Sequence, residues 1–236
     1  MPEPALLEIT KLAAPLRQQV ESAVREAIIE GRFRPGQRIT ERELTVSLGV
    51  SRTLVREALR QLESEGLISV IPNRGPVVRE LSAEEIEDLY AIRAVLEGLA
   101  ARSFTEKADA GRLRLLGEAQ ADAIAAYESD DAERALAAKN RFYEILVAGA
   151  GSTSLSAMLA TLHSRIRQWR AIGMTHPQRS STRSQEAIDG LKAIWSAING
   201  RNAAAAEAAT RDEARRGAAA LMRLLAEVPE EVAAQS

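Results

Sequence analysis

The sequence predicts a mainly α-helical chain of two domains, an N-terminal head of three helices with a small β-hairpin and a C-terminal all-α helical bundle. Three observations carry this. The chain has 236 residues, more than the ~100–150 of a typical single domain. Apolar residues make up 46% and aromatic residues only 3%, a mixture that favours helices with cores of Leu, Ile, Val and Ala. Helix-start signals recur along the chain, whereas strand signals are confined to residues 67–78.

Residues 1–12 read as a loose arm. From Ala13 onward, Leu16, Val20, Ala23, Val24, Ala27 and Ile28 keep helical spacing, and Gly31 is a natural stop. Pro35-Gly36 is a turn. Thr40-Glu41-Arg42-Glu43 has the order of a capping box and opens a short helix through Leu44 to Leu48, which Gly49 ends. Ser51 then starts a third helix that stops at Gly66, with Leu54, Val55, Leu59 and Leu62 as its apolar face. Leu67 to Ile71, the turn Pro72-Asn73-Arg74-Gly75, and Pro76-Val77-Val78 spell a two-stranded hairpin. Three helices followed by such a hairpin make a winged helix-turn-helix, expected over residues 13–81. A second capping box, Ser82-Ala83-Glu84-Glu85, opens the C-terminal domain, 82–236. Helices are expected there near 83–103, 109–127, 131–148, 153–172, 183–199 and 202–227, broken at Gly149-Ala150-Gly151, at Gly173 to Ser181 and at Gly200-Arg201-Asn202.

The third helix suggests a task. Ser51 can cap the free amides of the first turn and hand a spare hydrogen to a phosphate. Arg52 and Arg56, four residues apart, project from one face near the N-terminal end, the end that meets base edges in the major groove. A guanidinium can donate two parallel hydrogen bonds to guanine. Arg42 and Ser51 suit phosphate contacts, and Arg60, two turns along, faces phosphate or solvent. The whole chain carries a net charge of −2, but from Arg32 to Arg60 seven arginines face three glutamates, and local charge decides nucleic-acid binding. The scarcity of aromatic residues argues against single-strand readers, which stack bases on rings.

Other classes are excluded or weakened. The chain has no cysteine, which excludes disulfides, zinc fingers and thiol catalysis. No apolar run approaches the ~20 residues of a membrane span, and the N-terminus lacks the order of a signal peptide, so a soluble cytoplasmic protein is expected, without a membrane partner. With two histidines, no Gly-x-Ser-x-Gly elbow, no P-loop and no dinucleotide fingerprint, an enzyme is the weaker alternative. An architectural DNA binder without ligand control is the other.

The motifs Arg34-Pro35-Gly36, Glu41-Arg42-Glu43-Leu44, Leu48-Gly49-Val50-Ser51-Arg52-Thr53, Val55-Arg56-Glu57-Ala58-Leu59 and Glu65-Gly66-Leu67-Ile68 resemble the DNA-binding domain of GntR-family transcription regulators. The C-terminal domain resembles the FCD-type effector domain of the FadR-like subfamily, on Tyr90-Ala91-Ile92-Arg93, Leu96-Glu97-Gly98-Leu99-Ala100, Phe142-Tyr143 and Ala197-Ile198 with Gly200. The resemblance implies that Arg42, Arg52, Thr53 and Arg56 contact a double-stranded operator and that Arg74 and Gly75 of the wing reach the minor groove. A two-fold homodimer is expected because a single small head makes too few contacts for typical specific affinities of ~10⁻⁸ to 10⁻¹¹ M. The resemblance favours repression relieved by an organic acid over activation, with the acid bound in the helical domain so as to change the spacing of the two DNA heads.

Many FadR-type domains resemble one another in holding a divalent metal with an Asp or Asn, a His four residues on and two later His. The matching positions here are Lys139, Tyr143, Leu191 and Glu213, a set that cannot ligate a metal in that way; no metal and no cofactor are expected. Asn140, one residue off register, reads as a surface amide. Arg93 and Lys139 instead fall on apolar helical stripes, with Ile86, Leu89, Leu96 and Ala100, and with Leu136, Tyr143 and Leu146. Buried cations need anions. Either Glu97, Glu144 or Glu213 neutralises them, or a small anionic metabolite does, with Tyr143 donating a hydrogen bond and Arg165 and Arg170 as further contacts. Trp169 and Trp195 read as packing residues, His163 as a satisfied structural histidine and His176 as exposed. The polar run Arg179 to Ser184 is either a solvated loop or an anion cradle at a helix start.

Overall fold

In the computed structural model the described residues are 13–29, 31–129, 131–175 and 181–227, so the arm, His176 and Arg179-Ser180 lie outside them. The described chain divides into two compact units, between Glu80 and Leu81.

The head contains α1 (Ala13–Ile29), α2 (Glu41–Leu48), α3 (Arg52–Ser64) and the strands β1 (Ile68–Ile71) and β2 (Gly75–Val78). On α1, Val20, Val24 and Ile28 recur every fourth residue, and they meet Val55, Leu59 and Leu62 of α3 in the head's core. Burying such a side chain stabilises by about 1.5–3 kcal/mol. Arg25 of α1 holds Glu65, the C-cap of α3, through nitrogen–oxygen distances of 2.9–3.2 Å. Thr40 caps α2, accepting from the Glu43 amide. Only half of the expected box forms, because the Glu43 carboxylate turns to accept from the Thr40 hydroxyl at 2.9 Å. Gly49 ends α2 at φ +64°, a left-handed conformation that glycine adopts without a Cβ penalty.

The hairpin is antiparallel, with Ile68 opposite Val78 and Ile71 opposite Gly75. Its turn has Pro72 second and Asn73 third, at φ +64°, and the Arg74 amide donates to the Ile71 carbonyl at 3.1 Å, the pattern of a type II turn. Pro35-Gly36 forms the expected turn, and residues 37–39, for which no element is expected, run along β2. The Val78 amide donates to Gln37 at 2.9 Å and the Ile39 amide to Pro76 at 2.8 Å, so the wing's outer edge is partly paired.

The second unit is wholly helical among the described residues: α4 (Ala83–Lys107), α5 (Ala110–Glu128), α6 (Ala132–Gly149), α7 (Thr153–Thr175), α8 (Ser181–Asn199) and α9 (Ala203–Glu227). A complete Ser82/Glu85 capping box starts α4. The helix runs four residues past its expected end, since Phe104, fully buried, continues the apolar face. Two cores result. One joins Phe104, Leu116, Phe142, Leu191 and Ile194, and the other joins Ile86, Leu89, Leu159, Ile166 and Leu221. Gly149 lets α6 pass Phe104, whose ring would lie 2.2 Å from any Cβ there.

Candidate nucleic-acid interface and ligand cavity

Geometry sorts the head's polar residues by the element that presents them. Ser51 caps α3 by accepting from the Leu54 amide at 3.4 Å. Beyond it Arg52, Thr53, Arg56 and Arg60 are exposed, while Val55, Ala58 and Leu59 are buried beneath them. Arg56 is not a free cation. Its Nε donates to both carboxylate oxygens of Glu41 on α2, at 2.8 and 2.9 Å, and this carboxylate raises the guanidinium's pKa further above its ordinary value. Glu41 thereby occupies the Nε edge and leaves the terminal amino groups without a partner among the described residues. Arg42 of α2 is exposed. At the wing, Arg74 is exposed and its Nη2 donates to the Gly36 carbonyl at 3.3 Å, while Gly75 holds φ +83°.

In the helical unit Arg93 and Lys139 point inward and are 3% and 7% exposed. Both meet carboxylates. Arg93 Nε lies 2.9 Å from Glu97 Oε1, one turn along α4, and the same oxygen is 2.8 Å from His163 Nε2 of α7. Lys139 is bonded to Glu213 of α9, which also accepts from Arg183 of α8 at 3.2 Å. Glu144, the third candidate counter-ion, is exposed. Burial pushes the Glu97 carboxyl upward, but Arg93 and His163 outweigh it and bring it down to about 2. Burial likewise opposes Glu213 ionisation, and Lys139 and Arg183 overcome it. For His163 burial wins over the pull of Glu97, and its pKa falls.

These side chains border a cavity lined by Tyr90, Arg93, Lys139, Trp169, Arg170 and Arg183, among others. Trp169 thus forms part of a wall as well as packing on the core. Arg183, which the sequence leaves open between a solvated loop and an anion cradle at a helix start, lies in the first turn of α8 and lines the cavity. Tyr143 and Arg165 do not line this cavity. The Tyr143 ring lies 5.5 Å from the Arg93 guanidinium carbon with its hydroxyl buried and without a hydrogen bond; burial and nearby Glu97 raise its pKa well above the ordinary value. Arg165 is half-buried with Nε unpartnered. Asn140 is not a surface amide; it is half-buried, with Oδ1 unpartnered.

The four positions matching the metal ligands of related domains do not fit a metal. Leu191 is fully buried and apolar, the Tyr143 phenol is held neutral, and the Lys139 ammonium is bonded to the one carboxylate of the set, Glu213. A lysine cation there repels a second cation.

Comparisons with known proteins agree with this division of the chain. The model of bacterial regulatory proteins of the gntR family matches residues 16–78, and the FCD domain matches residues 88–216. The chain is 30% identical to an uncharacterized HTH-type transcriptional regulator, YdhC, of Bacillus subtilis, over 71% of this chain and 75% of that protein. It is 31% identical to a probable D-xylose utilization operon transcriptional repressor of Paenarthrobacter nicotinovorans, over 67% of each. The structure of E. coli McbR/YncC shares the fold with a TM-score of 0.78 at 23% identity, covering 89% of this chain and 98% of that one. No described helix is long and apolar enough to cross a membrane. The chain therefore belongs to the GntR family, as a DNA-binding transcription regulator and not an enzyme, with a winged helix-turn-helix head and a FadR-like FCD domain.

Proposed function

We propose that this regulator binds an inverted-repeat operator as a homodimer in the cytoplasm, places α3 in the major groove, and changes its operator affinity when a small anionic metabolite enters the helical unit. One observation supports the groove assignment best. Arg52 and Arg56 stand exposed above a buried α3 face, and Glu41 fixes Arg56 by its Nε alone. The remaining amino groups suit the O6 and N7 acceptors of guanine. Ser51, Thr53 and Arg42 take phosphates, and Arg74 with Gly75 approaches the minor groove. Repression is the proposed direction, as in the relative named a repressor. The ligand shifts the balance only by its preference for one state of the protein over the other.

Selection of bound duplexes from a random library, followed by anisotropy titration at fixed salt, tests the DNA half. A two-fold symmetric consensus supports it, and equal affinity for all duplexes refutes it. The domain is further proposed to work without a metal, since Lys139 and Leu191 stand where ligands are needed. Elemental analysis after mild dialysis is expected to find no stoichiometric zinc, nickel or manganese. One retained metal per chain contradicts this.

A further inference from the structure

Among the described residues, α7 enters only one of the two cores of the helical unit. It gives Leu155, Leu159, Leu162 and Ile166 to the second core, with Trp169 against it, and nothing to the first. The C-terminal half of α7 is thus held by Leu162, Ile166 and Trp169, and by the bond from His163 to Glu97 of α4.

That bond joins a group that can titrate near neutrality to one that cannot. Glu97 is fully buried, whereas the His163 side chain is 20% exposed, so water reaches the imidazole. The Glu97 carboxylate is ionised and can only accept. His163 Nε2 therefore carries the proton of the 2.8 Å bond, and an added proton goes to Nδ1.

The surroundings resist that second proton. From α4 come Tyr90 and Arg93, whose Nε already holds the same Glu97 oxygen at 2.9 Å. α7 itself adds Arg170, with Nη2 buried and unpartnered. α6 adds the Tyr143 phenol, and α9 brings Glu213 toward the Tyr143 side, where Lys139 and Arg183 hold it. Two arginines against one carboxylate leave one positive charge in excess while His163 is neutral. Protonation makes the excess two. Burial together with Arg170 and Arg93 outweighs Glu97, and the imidazole pKa falls below its ordinary 6.5.

We propose that α7 is released by protons: protonation of His163 frees the stretch from His163 to Arg170 from α4, while the first core keeps the rest of the unit folded. Above the ordinary imidazole value the contact is whole. As pH falls below that value the freed form binds an extra proton and the docked form does not, so the balance moves toward release by up to about tenfold per pH unit. Glu97, which titrates at about 2, and Glu213, also lowered, stay ionised through this window. The freed stretch carries Trp169 and Arg170, which line the cavity described above, so mild acid remodels that wall. The release needs neither ligand nor DNA.

Hydrogen exchange of the full-length protein between about pH 8 and about pH 5, corrected for the intrinsic pH dependence of amide exchange, tests this. Peptides covering residues 163–170 should show an opening constant that rises at least about fivefold from about pH 7 to about pH 5, while peptides of α5 and α8 hold constant. His163→Gln keeps an amide donor for Glu97 but no titrating group, and should remove the rise. Proton NMR, with His176→Gln for assignment, should place the His163 midpoint below 6.5. Arg170→Met takes away one of the excess cations; it should move that midpoint upward and shrink the rise, and it decides the matter should His163→Gln fold poorly by circular dichroism. A rise that survives His163→Gln, a His163 midpoint at or above the ordinary value, α7 peptides indifferent to pH, or α5 and α8 peptides that open in parallel overturns the proposal.

Discussion

Both units of this regulator are built around arginines, but they treat them oppositely. In the head, Arg42, Arg52 and Arg60 are solvated, and Arg56 is tied only by a solvent-facing carboxylate. In the helical unit, Arg93 is 3% exposed and shares with His163 a fully buried Glu97. A solvated cation costs the fold little and keeps its donors for phosphates and base edges. A buried cation must be answered where it stands, and the answer becomes part of the core. One unit can therefore change its charged residues without unfolding, and the other cannot.

The sharpest way to break this contrast is to remove a buried counter-ion. Glu97→Ala leaves Arg93 and His163 without their shared acceptor, and losing one partner of a buried pair costs about 3–5 kcal/mol. Trp169 and Trp195 are the two tryptophans of the chain and both lie in the helical unit, so their fluorescence in a urea titration reports that unit alone. An unchanged midpoint would show that the pair is not coupled to the core. The head responds differently. Arg52→Ala and Arg56→Ala should each lower operator affinity by roughly tenfold to a hundredfold and relax base preference, leaving the tryptophan transition where it was.

Acid sharpens the comparison further. The Glu97 pKa lies at about 2, below the ordinary 4.5, and that of Glu213 is also lowered. A carboxyl depressed in the folded state contributes stability that is present above its ordinary pKa and lost as pH falls toward the folded value. His163, lowered by burial, acts in the same sense beginning at its own ordinary value, 6.5. The helical unit should thus weaken gradually below neutrality and most steeply below about pH 4.5, followed by tryptophan fluorescence. Stability that rises on acidification would contradict the ion-pair assignment. The smallest effects belong to the supports of the DNA contacts. Arg42→Ala should weaken specific and random duplexes evenly and reduce the salt slope by about 1. Glu41→Gln should cost roughly two- to tenfold in operator affinity by loosening Arg56, and should blunt its base preference while salt dependence stays nearly unchanged.

The elements of the fold were legible because their signals are local. Thr40, Ser51 and Ser82 mark helix starts, Gly49 a stop, and the period of Val20, Val24 and Ile28 a buried face. Pairings distant in sequence were less legible. Lys139 and Arg93 could be recognised as cations on apolar stripes, but three carboxylates remained open as partners. Lys139 and Glu213 are 74 residues apart, so only the packing of α6 against its neighbours chooses between them. The pairing of residues 37–39 with β2 was hidden for the same reason, since strand signals are confined to residues 67–78. Arg183 stayed open between a solvated loop and an anion cradle because its surroundings, Ser181-Thr182-Arg183-Ser184, carry no apolar period; the contact that holds it inward is with Glu213 of α9.

The central claim is that exposed arginines on α3 read base edges, and parallel duplex selection with the wild-type protein and the Arg52→Ala and Arg56→Ala variants tests it most directly. The wild type should enrich a symmetric pair of half-sites, each variant should lose discrimination at its own symmetry-related positions, and affinity for random duplex should fall much less. Identical consensus sequences from all three proteins would contradict the placement of α3 in the major groove.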